Sequence, residues 1–168
     1  MNSSVISQVF RFILLVFVQV VILNHINFLG YINPYIYILF IVLYPIKNDR
    51  IVFLLLSFLL GILVDIFSDS GGINAAACVT IAYLRPIVLK WSFGTVYEHQ
   101  TIKFNNVDFG SKLMYISILT IIHHLILFLL EVFNFSDILL TLQKTLFSSI
   151  FTILLCIIVT IIFSKRTK

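Results

Sequence analysis

The sequence predicts an all-α integral membrane protein, built as a bundle of six transmembrane helices. Of its 168 residues, 61% are hydrophobic and only 11% are charged, whereas an ordinary soluble domain is about half apolar and roughly a quarter charged. The apolar residues form long continuous runs, unlike the alternation over about ten residues that marks a transmembrane barrel strand. Helices account for such runs because a helix satisfies its own backbone polar groups in lipid.

A spanning helix needs about 20 mostly apolar residues, and six runs approach that length. The second run is short, and Pro34 stands where its helix could begin. We predict a single transmembrane domain over residues 1–168. Its spans are expected at Val9–Phe28, Tyr31–Ile46, Ile51–Phe67, Ile73–Leu89, Leu113–Phe133 and Thr145–Phe163.

The basic residues predict the topology, because cytoplasmic loops carry an excess of Lys and Arg. With both termini in the cytoplasm, the outer segments hold only Lys144, and Arg85 lies in the inner half of the fourth span. If the second run were re-entrant and the N-terminus outside, only Arg11 would change sides. The charges therefore leave the first two runs open. The inner segments hold Arg11, Lys47, Arg50, Lys90, Lys103, Lys112, Lys165, Arg166 and Lys168.

The longest connection, Lys90–Lys112, faces the cytoplasm in either topology. Its aromatic residues are of the kind found at the headgroup level. Two interpretations stay open: a loop lying on the membrane surface, which we favour, and a docking surface for a cytoplasmic partner. The aromatic residues are Trp91, Phe93, Tyr97 and Phe104.

No motif for catalysis or cofactor binding is present in the sequence. It contains no HExxH, GxSxG or phosphate-binding glycine loop. Cys78 and Cys156 lie in apolar runs outside any CxxC pattern, which favours packed thiols. The net charge of +4 comes from residues between and after the apolar runs, which argues against nucleic acid. We expect no enzyme activity, cofactor, metal or nucleic-acid partner.

Polar residues inside the spans are candidates for function, because they are costly in lipid. His123 and His124 fall near the middle of the fifth span, and Gln19 lies in the first. A proton relay or ligand site would use such histidines. We favour neutral histidines hydrogen-bonded to a neighbouring helix, and we interpret Gln19 as a hydrogen bond between helices.

Small and polar residues concentrate in the third span. Ser57, Gly61 and Asp65 follow i, i+4, i+8 spacing, so they share one helix face. Small residues at this spacing let helix backbones approach closely in lipid. Asp65 lies about a turn from the outer end. It either sits in interfacial water or makes a buried contact with an adjacent helix or a partner.

The outer turn follows at residues 68–72, "SDSGG". Gly71 and Gly72 allow backbone angles that other residues avoid. Asn74 or a preceding serine could cap the fourth helix. Ala75–Ala77 give the first turn of that helix small side chains. The stretch predicts a closely packed helical hairpin with an acid near its outer mouth.

Residues 59–86, "LLGILVDIFSDSGGINAAACVTIAYLRP", resemble the most characteristic segment of the rod shape-determining protein MreD family. Its members have a helix ending in a Gly-Leu-…-Asp pattern, a short Ser/Gly turn, a Gly followed by small residues, and another helix. Arg85, in the "YLRP" continuation, looks like the branch found in Bacteroidota. The residues that stand in the places of the motif are Gly61, Asp65, Gly72 and Ala75.

This resemblance implies a non-catalytic inner-membrane subunit of the bacterial elongation machinery, which maintains cell shape. It implies association with the scaffold protein MreC and, through it, with the filament protein MreB and the lateral-wall synthases. It also implies a helical arrangement similar to the substrate-binding subunits of energy-coupling-factor vitamin transporters. From spacing and resemblance together, the residues expected in helix packing or partner contact are Ser57, Gly61, Asp65, Gly72, Ala75 and Arg85.

Two other functions stay open. A vitamin-capture subunit fits the size and the number of spans, but the first span, "VFRFILLVFVQVVILNHINF", lacks the alanine stripe with which such subunits engage a coupling subunit. An enzyme or proton-coupled transporter would use Asp65, His123 and His124. Helix rise places the acid and the histidines roughly 15 Å apart along the membrane normal, which is too far for direct proton exchange.

Overall fold

The computed structural model describes residues 3–26, 33–46, 49–94, 107–132 and 138–163. These residues form helices and turns with no strand among them, so the all-α prediction is confirmed for this part of the chain. The elements are α1 (Ser3–Val21), a 3-10 turn (Leu23–His25), α2 (Ile38–Leu43), α3 (Arg50–Ser68), α4 (Ile73–Phe93), α5 (Phe109–Val132) and α6 (Ile138–Ile162).

Five segments are helical, long and apolar enough to cross a membrane. Large apolar side chains cover their outward faces; Phe10 is 66% exposed and Ile162 is 69% exposed. Soluble proteins rarely expose so extensive an apolar surface, and the fold is compatible with a multi-pass membrane protein. The five segments are Val5–His25, Arg50–Ser68, Ile73–Phe93, Phe109–Val132 and Thr141–Ile162.

The prediction of a second spanning helix at Tyr31–Ile46 is not confirmed as one continuous helix. Within the described part of that run, α2 has only 6 residues and extends about 9 Å, a third of the roughly 30 Å hydrocarbon core. Asn33–Tyr35 are not helical; Pro34 disfavours helical geometry at Asn33, the residue before it. The described bundle therefore contains five long helices and one short buried helix.

Gln19 of α1 satisfies the backbone of this non-helical segment. Its Nε2 donates a hydrogen bond to Pro34 O at 3.2 Å, and its Oε1 accepts one from Ile36 N at 2.9 Å. Gln19 is fully buried, as it must be, because irregular backbone at membrane depth is tolerated only inside protein or around a water-filled cavity. The sequence correctly placed Gln19 between segments; two of its partners are main-chain groups, and the third is the Asn24 side chain, whose Oδ1 accepts from Gln19 Nε2 at 2.9 Å.

Side-chain contacts establish the direction of the segment 33–43. Pro34 lies beside Gln19, whereas Leu43 O accepts a hydrogen bond from Arg11 Nη1. The segment therefore runs antiparallel to α1, and it crosses most of the bundle despite having so short a helix.

The bundle has two ends, which we name the Asp65 end and the Arg85 end. α1, α3 and α5 run toward the Asp65 end, and the segment 33–43, α4 and α6 run back. The described chain thus passes through the bundle six times. Its first and last described residues both lie at the Arg85 end.

Several helix ends differ from the predicted spans. α1 and α6 begin before the predicted starts at Val9 and Thr145. α4 continues to Phe93 and α5 already begins at Phe109, so the connection predicted at Lys90–Lys112 is shorter. The added turns contain polar residues, which lower the hydropathy on which the span prediction depended.

The aromatic residues of that connection have different surroundings. Trp91 is 73% exposed on α4, whereas Phe93 packs against Tyr115 with ring centroids 5.5 Å apart. The surface-loop interpretation stays a prediction for the remainder. The other aromatic residues and the basic tail lie outside the described residues, at Tyr97, Phe104 and 164–168.

The hydrophobic core surrounds α2. Residues Ile38–Val42 are at most 2% exposed, and α2 packs against α1, α4 and α5. Cys78 and Cys156 are fully buried free thiols in the same core, which confirms their interpretation as packed residues.

We predict that Gln19→Leu destabilises the protein by about 2 kcal/mol, because two buried backbone groups lose their partner. Thermal unfolding in detergent measures this loss. Gln143→Leu, on the exposed face of α6, is the matched control and leaves the unfolding temperature unchanged. Equal stability of the two variants would contradict the role of Gln19.

Candidate functional site

The Asp65 carboxylate binds the first turn of α4. Its Oδ1 accepts hydrogen bonds from Asn74 N at 2.9 Å and from Asn74 Nδ2 at 3.0 Å, and its Oδ2 accepts one from Ala75 N at 2.9 Å. Ser70 Oγ donates a further hydrogen bond to Oδ1. Asp65 is only 5% exposed, so its contact is made within the protein's own helical hairpin.

This contact solves a general problem of helix ends. The first N–H groups of a helix have no partner within the helix, and the N-cap of α4 is Gly72, which has no side chain to offer. An acid from the preceding helix therefore takes over the capping role, and its negative charge is favourable at a helix N-terminus. The expectation that Asn74 or a serine caps α4 is wrong; Asn74 instead donates to Asp65.

The turn between the two helices needs residues that adopt positive φ. Asp69, at φ 51°, donates its N–H to Asp65 O and ends α3. Gly71 and Gly72 follow at φ 64° and 96°, values that glycine adopts without steric cost. Gly72 thus belongs to the site through its backbone.

Gly61 brings α3 and α4 into backbone contact. A Cβ at this position would lie 2.6 Å from Ala75 N and 2.7 Å from Asn74 O, and it would overlap Ala75 Cα. Ser57, one turn earlier on the same face, is fully buried and donates to Phe53 O at 2.8 Å. The expected close approach of the two helices is therefore present in the structure.

A hydrogen-bond chain leads from Asp65 into the core. Asn74 Oδ1 accepts from the Tyr37 hydroxyl at 2.7 Å, and that hydroxyl lies 2.9 Å from His123 Nε2. Asn74 turns its NH₂ toward Asp65, so its oxygen faces Tyr37 and takes the single hydroxyl proton. His123 must then donate from Nε2. This leaves its buried Nδ1 with no hydrogen-bond partner among the described residues.

Asp65 and His123 were expected to be too far apart for direct exchange. The structure links them through only two intervening side chains. Tyr37, which completes the link, was missed because it lay within the apolar run predicted to be a spanning helix. A tyrosine inside an apolar run was the available signal, since a buried tyrosine hydroxyl usually finds a partner.

His124 joins α5 to α6 and to the segment 33–43. Its Nδ1 donates to Thr120 O at 2.8 Å, and its Nε2 lies 3.2 Å from Thr152 Oγ1. The same hydroxyl oxygen accepts from Tyr35 N at 3.0 Å. Both histidines are thus hydrogen-bonded to neighbouring segments, as favoured from the sequence.

Arg85 binds the C-terminal end of α2. Its Nη2 donates to Tyr44 O and Val42 O, at 2.5 and 3.3 Å, and its Nε donates to the Tyr115 hydroxyl at 2.8 Å. These carbonyls end a helix, where a positive charge is favourable. The guanidinium carbon also lies 5.1 Å from the Phe53 ring centroid. Arg85 is 3% exposed, and no described carboxylate contacts it.

A cavity of about 740 Å³ opens at the Asp65 end. Most of its polar lining comes from the 3-10 turn, the end of α3 with the turn that follows it, and the segment before α2. Tyr35 forms part of the lining, and the side chain of Glu131 forms an ion pair with Lys144 at 3.5 Å. Residues that line the cavity include Asn24, Asn33, Tyr35, Asp69, Asn74 and Glu131.

The described residues contain no group of three or more His, Cys, Asp or Glu that could hold a metal. Searches against protein-family models, curated proteins and solved structures gave no match. What this site can do must therefore be argued from its geometry. Its charged groups are engaged with helix ends, so their direct effect is to hold α2, α3 and α4 together.

We predict that Asp65→Asn destabilises the protein by about 2–3 kcal/mol. The amide removes the negative charge and replaces one acceptor with a donor that faces other donors. Chemical or thermal unfolding in detergent measures the effect. Asp69→Asn is the matched control, because that acid is exposed and asparagine tolerates its left-handed conformation. Equal effects of the two substitutions would contradict the capping role.

We also predict that Gly61→Ala destabilises the hairpin by about 1–3 kcal/mol, since the added methyl group overlaps backbone that cannot move aside independently. Gly110→Ala is the control; its Cβ would meet only an Asp108 side-chain oxygen at 3.0 Å. Similar unfolding temperatures for both variants would show that α3 and α4 are not in backbone contact.

Proposed function

We propose that this chain is a non-catalytic subunit of the bacterial cell-elongation complex, of the MreD type. It resides in the inner membrane with both termini in the cytoplasm. It binds an MreC-type scaffold protein and thereby links an MreB-type filament to the lateral-wall synthases. The sequence resemblance over residues 59–86 supports this proposal, together with the role of that segment in the fold.

One observation carries the proposal: the polar residues of the resembling segment are used to hold helices together. Asp65 accepts hydrogen bonds from three residues, and Arg85 binds the carbonyl end of α2. Such a rigid helical frame suits a protein that positions others, and its apolar outer surfaces can receive a partner's transmembrane helix.

A second candidate is a membrane subunit that captures a vitamin. The polar cavity of about 740 Å³ at the Asp65 end favours it, because ligand pockets have volumes of roughly 300–1,000 Å³. The absence of Ala and Gly from Val9–Phe28 argues against it. Saturable vitamin binding by the purified protein, without recovery of elongation proteins, would favour this candidate.

The first proposal predicts that the tagged chain recovers an MreC-type protein from its native membrane, and that its depletion turns rod-shaped cells round. Wild type and Asp69→Asn restore the shape. Asp65→Leu does not restore the shape, and the amount of folded protein falls, because Asp65 supports the fold. Normal rods after depletion, or recovery without any elongation protein, would contradict the proposed function.

A further inference from the structure

The Arg85 end contains a cleft between α1 and α6. α1 packs mainly against α3 and α2, and a cavity of about 380 Å³ lies between α1 and α6. Leu39 and Leu43 of α2 form part of the lining, Val159 contributes from α6, and Phe163 contributes from the residue after α6. The cleft is mostly apolar, and one basic residue of α1, Arg11, lines it.

Arg11 is poorly satisfied inside this cleft. Its only hydrogen bond among the described residues is a long one, from Nη1 to Leu43 O at 3.4 Å. A guanidinium carries five N–H donors, and the buried Arg85 of the same protein makes three shorter hydrogen bonds. No carboxylate of the described chain reaches Arg11. A half-buried cation within a spanning helix is costly, so an anionic group from outside the chain would stabilise it.

The polar residues that α1 contributes to the cleft, Ser7 and Arg11, lie nearer the end of the bundle than the leucines of α1. Ser7 lines it one helical turn before Arg11, closer to the end, and Leu14 and Leu15 line it about one turn beyond. This order of polar and apolar groups is that of a phospholipid in one leaflet. The long side chain of arginine can also extend its charge toward the headgroup level.

We propose that this cleft is a binding site for one anionic phospholipid. The lipid phosphate binds the Arg11 guanidinium beside Ser7, and an acyl chain lies along Leu14, Leu15 and Leu39. A second transmembrane helix fits less well, because a helix is about 10 Å across and roughly one turn would fill the volume. The site is independent of either function proposed above.

Lipid retention in nanodiscs tests this site. The full chain is placed in discs containing equal amounts of phosphatidylglycerol and phosphatidylcholine, and native mass spectrometry measures the lipids that stay bound. Wild type retains one phosphatidylglycerol preferentially, and Arg11→Gln lowers that preference about fivefold, the effect of one basic residue near a charged membrane surface. Leu14→Trp, which fills the apolar part of the cleft, lowers it while keeping the charge.

Arg50→Gln is the control, because Arg50 lies at the same end of the bundle on α3 but outside the cleft, over the Tyr83 ring. It leaves the lipid preference unchanged in a folded protein. The proposal is overturned if wild type shows no preference, if Arg50→Gln lowers it as much as Arg11→Gln, or if a photo-crosslinker at position 14 captures a protein helix instead of lipid.

Discussion

The fold depends on the Asp65 carboxylate, which caps a helix other than its own. The first N–H groups of a helix need hydrogen-bond partners, and inside a membrane protein water is not there to supply them. The N-cap of α4 is Gly72, which has no side chain to do so. By accepting from Asn74 N and Ala75 N, Asp65 satisfies those groups and ties α3 to α4. The contact requires the helices to touch, and Gly61 permits this by offering no side chain.

The same principle applies to α2 at the other end of the bundle. α2 is too short to span the membrane. Arg85 donates hydrogen bonds to the carbonyls at its C-terminal end, and Gln19 satisfies backbone groups of the segment that precedes it. Tyr37 then connects this short segment to both Asn74 and His123. The buried polar residues thus form a frame that holds an irregular segment at membrane depth, where lipid alone would not tolerate it.

The parts of this frame that lie on one helix are predictable from the sequence, whereas those that depend on packing are not. The i, i+4, i+8 spacing placed Ser57, Gly61 and Asp65 on one face, because helix period alone determines that relation. It could not choose between a partner contact and an internal contact for Asp65, since that depends on where the α4 backbone lies. Hydropathy likewise predicted a full helix at Tyr31–Ile46, because a buried irregular segment is as apolar as a spanning one.

Asp65 caps α4 within the protein and does not reach a partner. Hydrogen exchange at the Asn74 and Ala75 amides, measured in wild type and in Asp65→Asn without any partner present, tests this most directly. We expect slow exchange in wild type and exchange at least about tenfold faster in the variant, from the loss of about 1.4 kcal/mol or more at these groups. Unchanged protection of both amides in the variant would contradict the account.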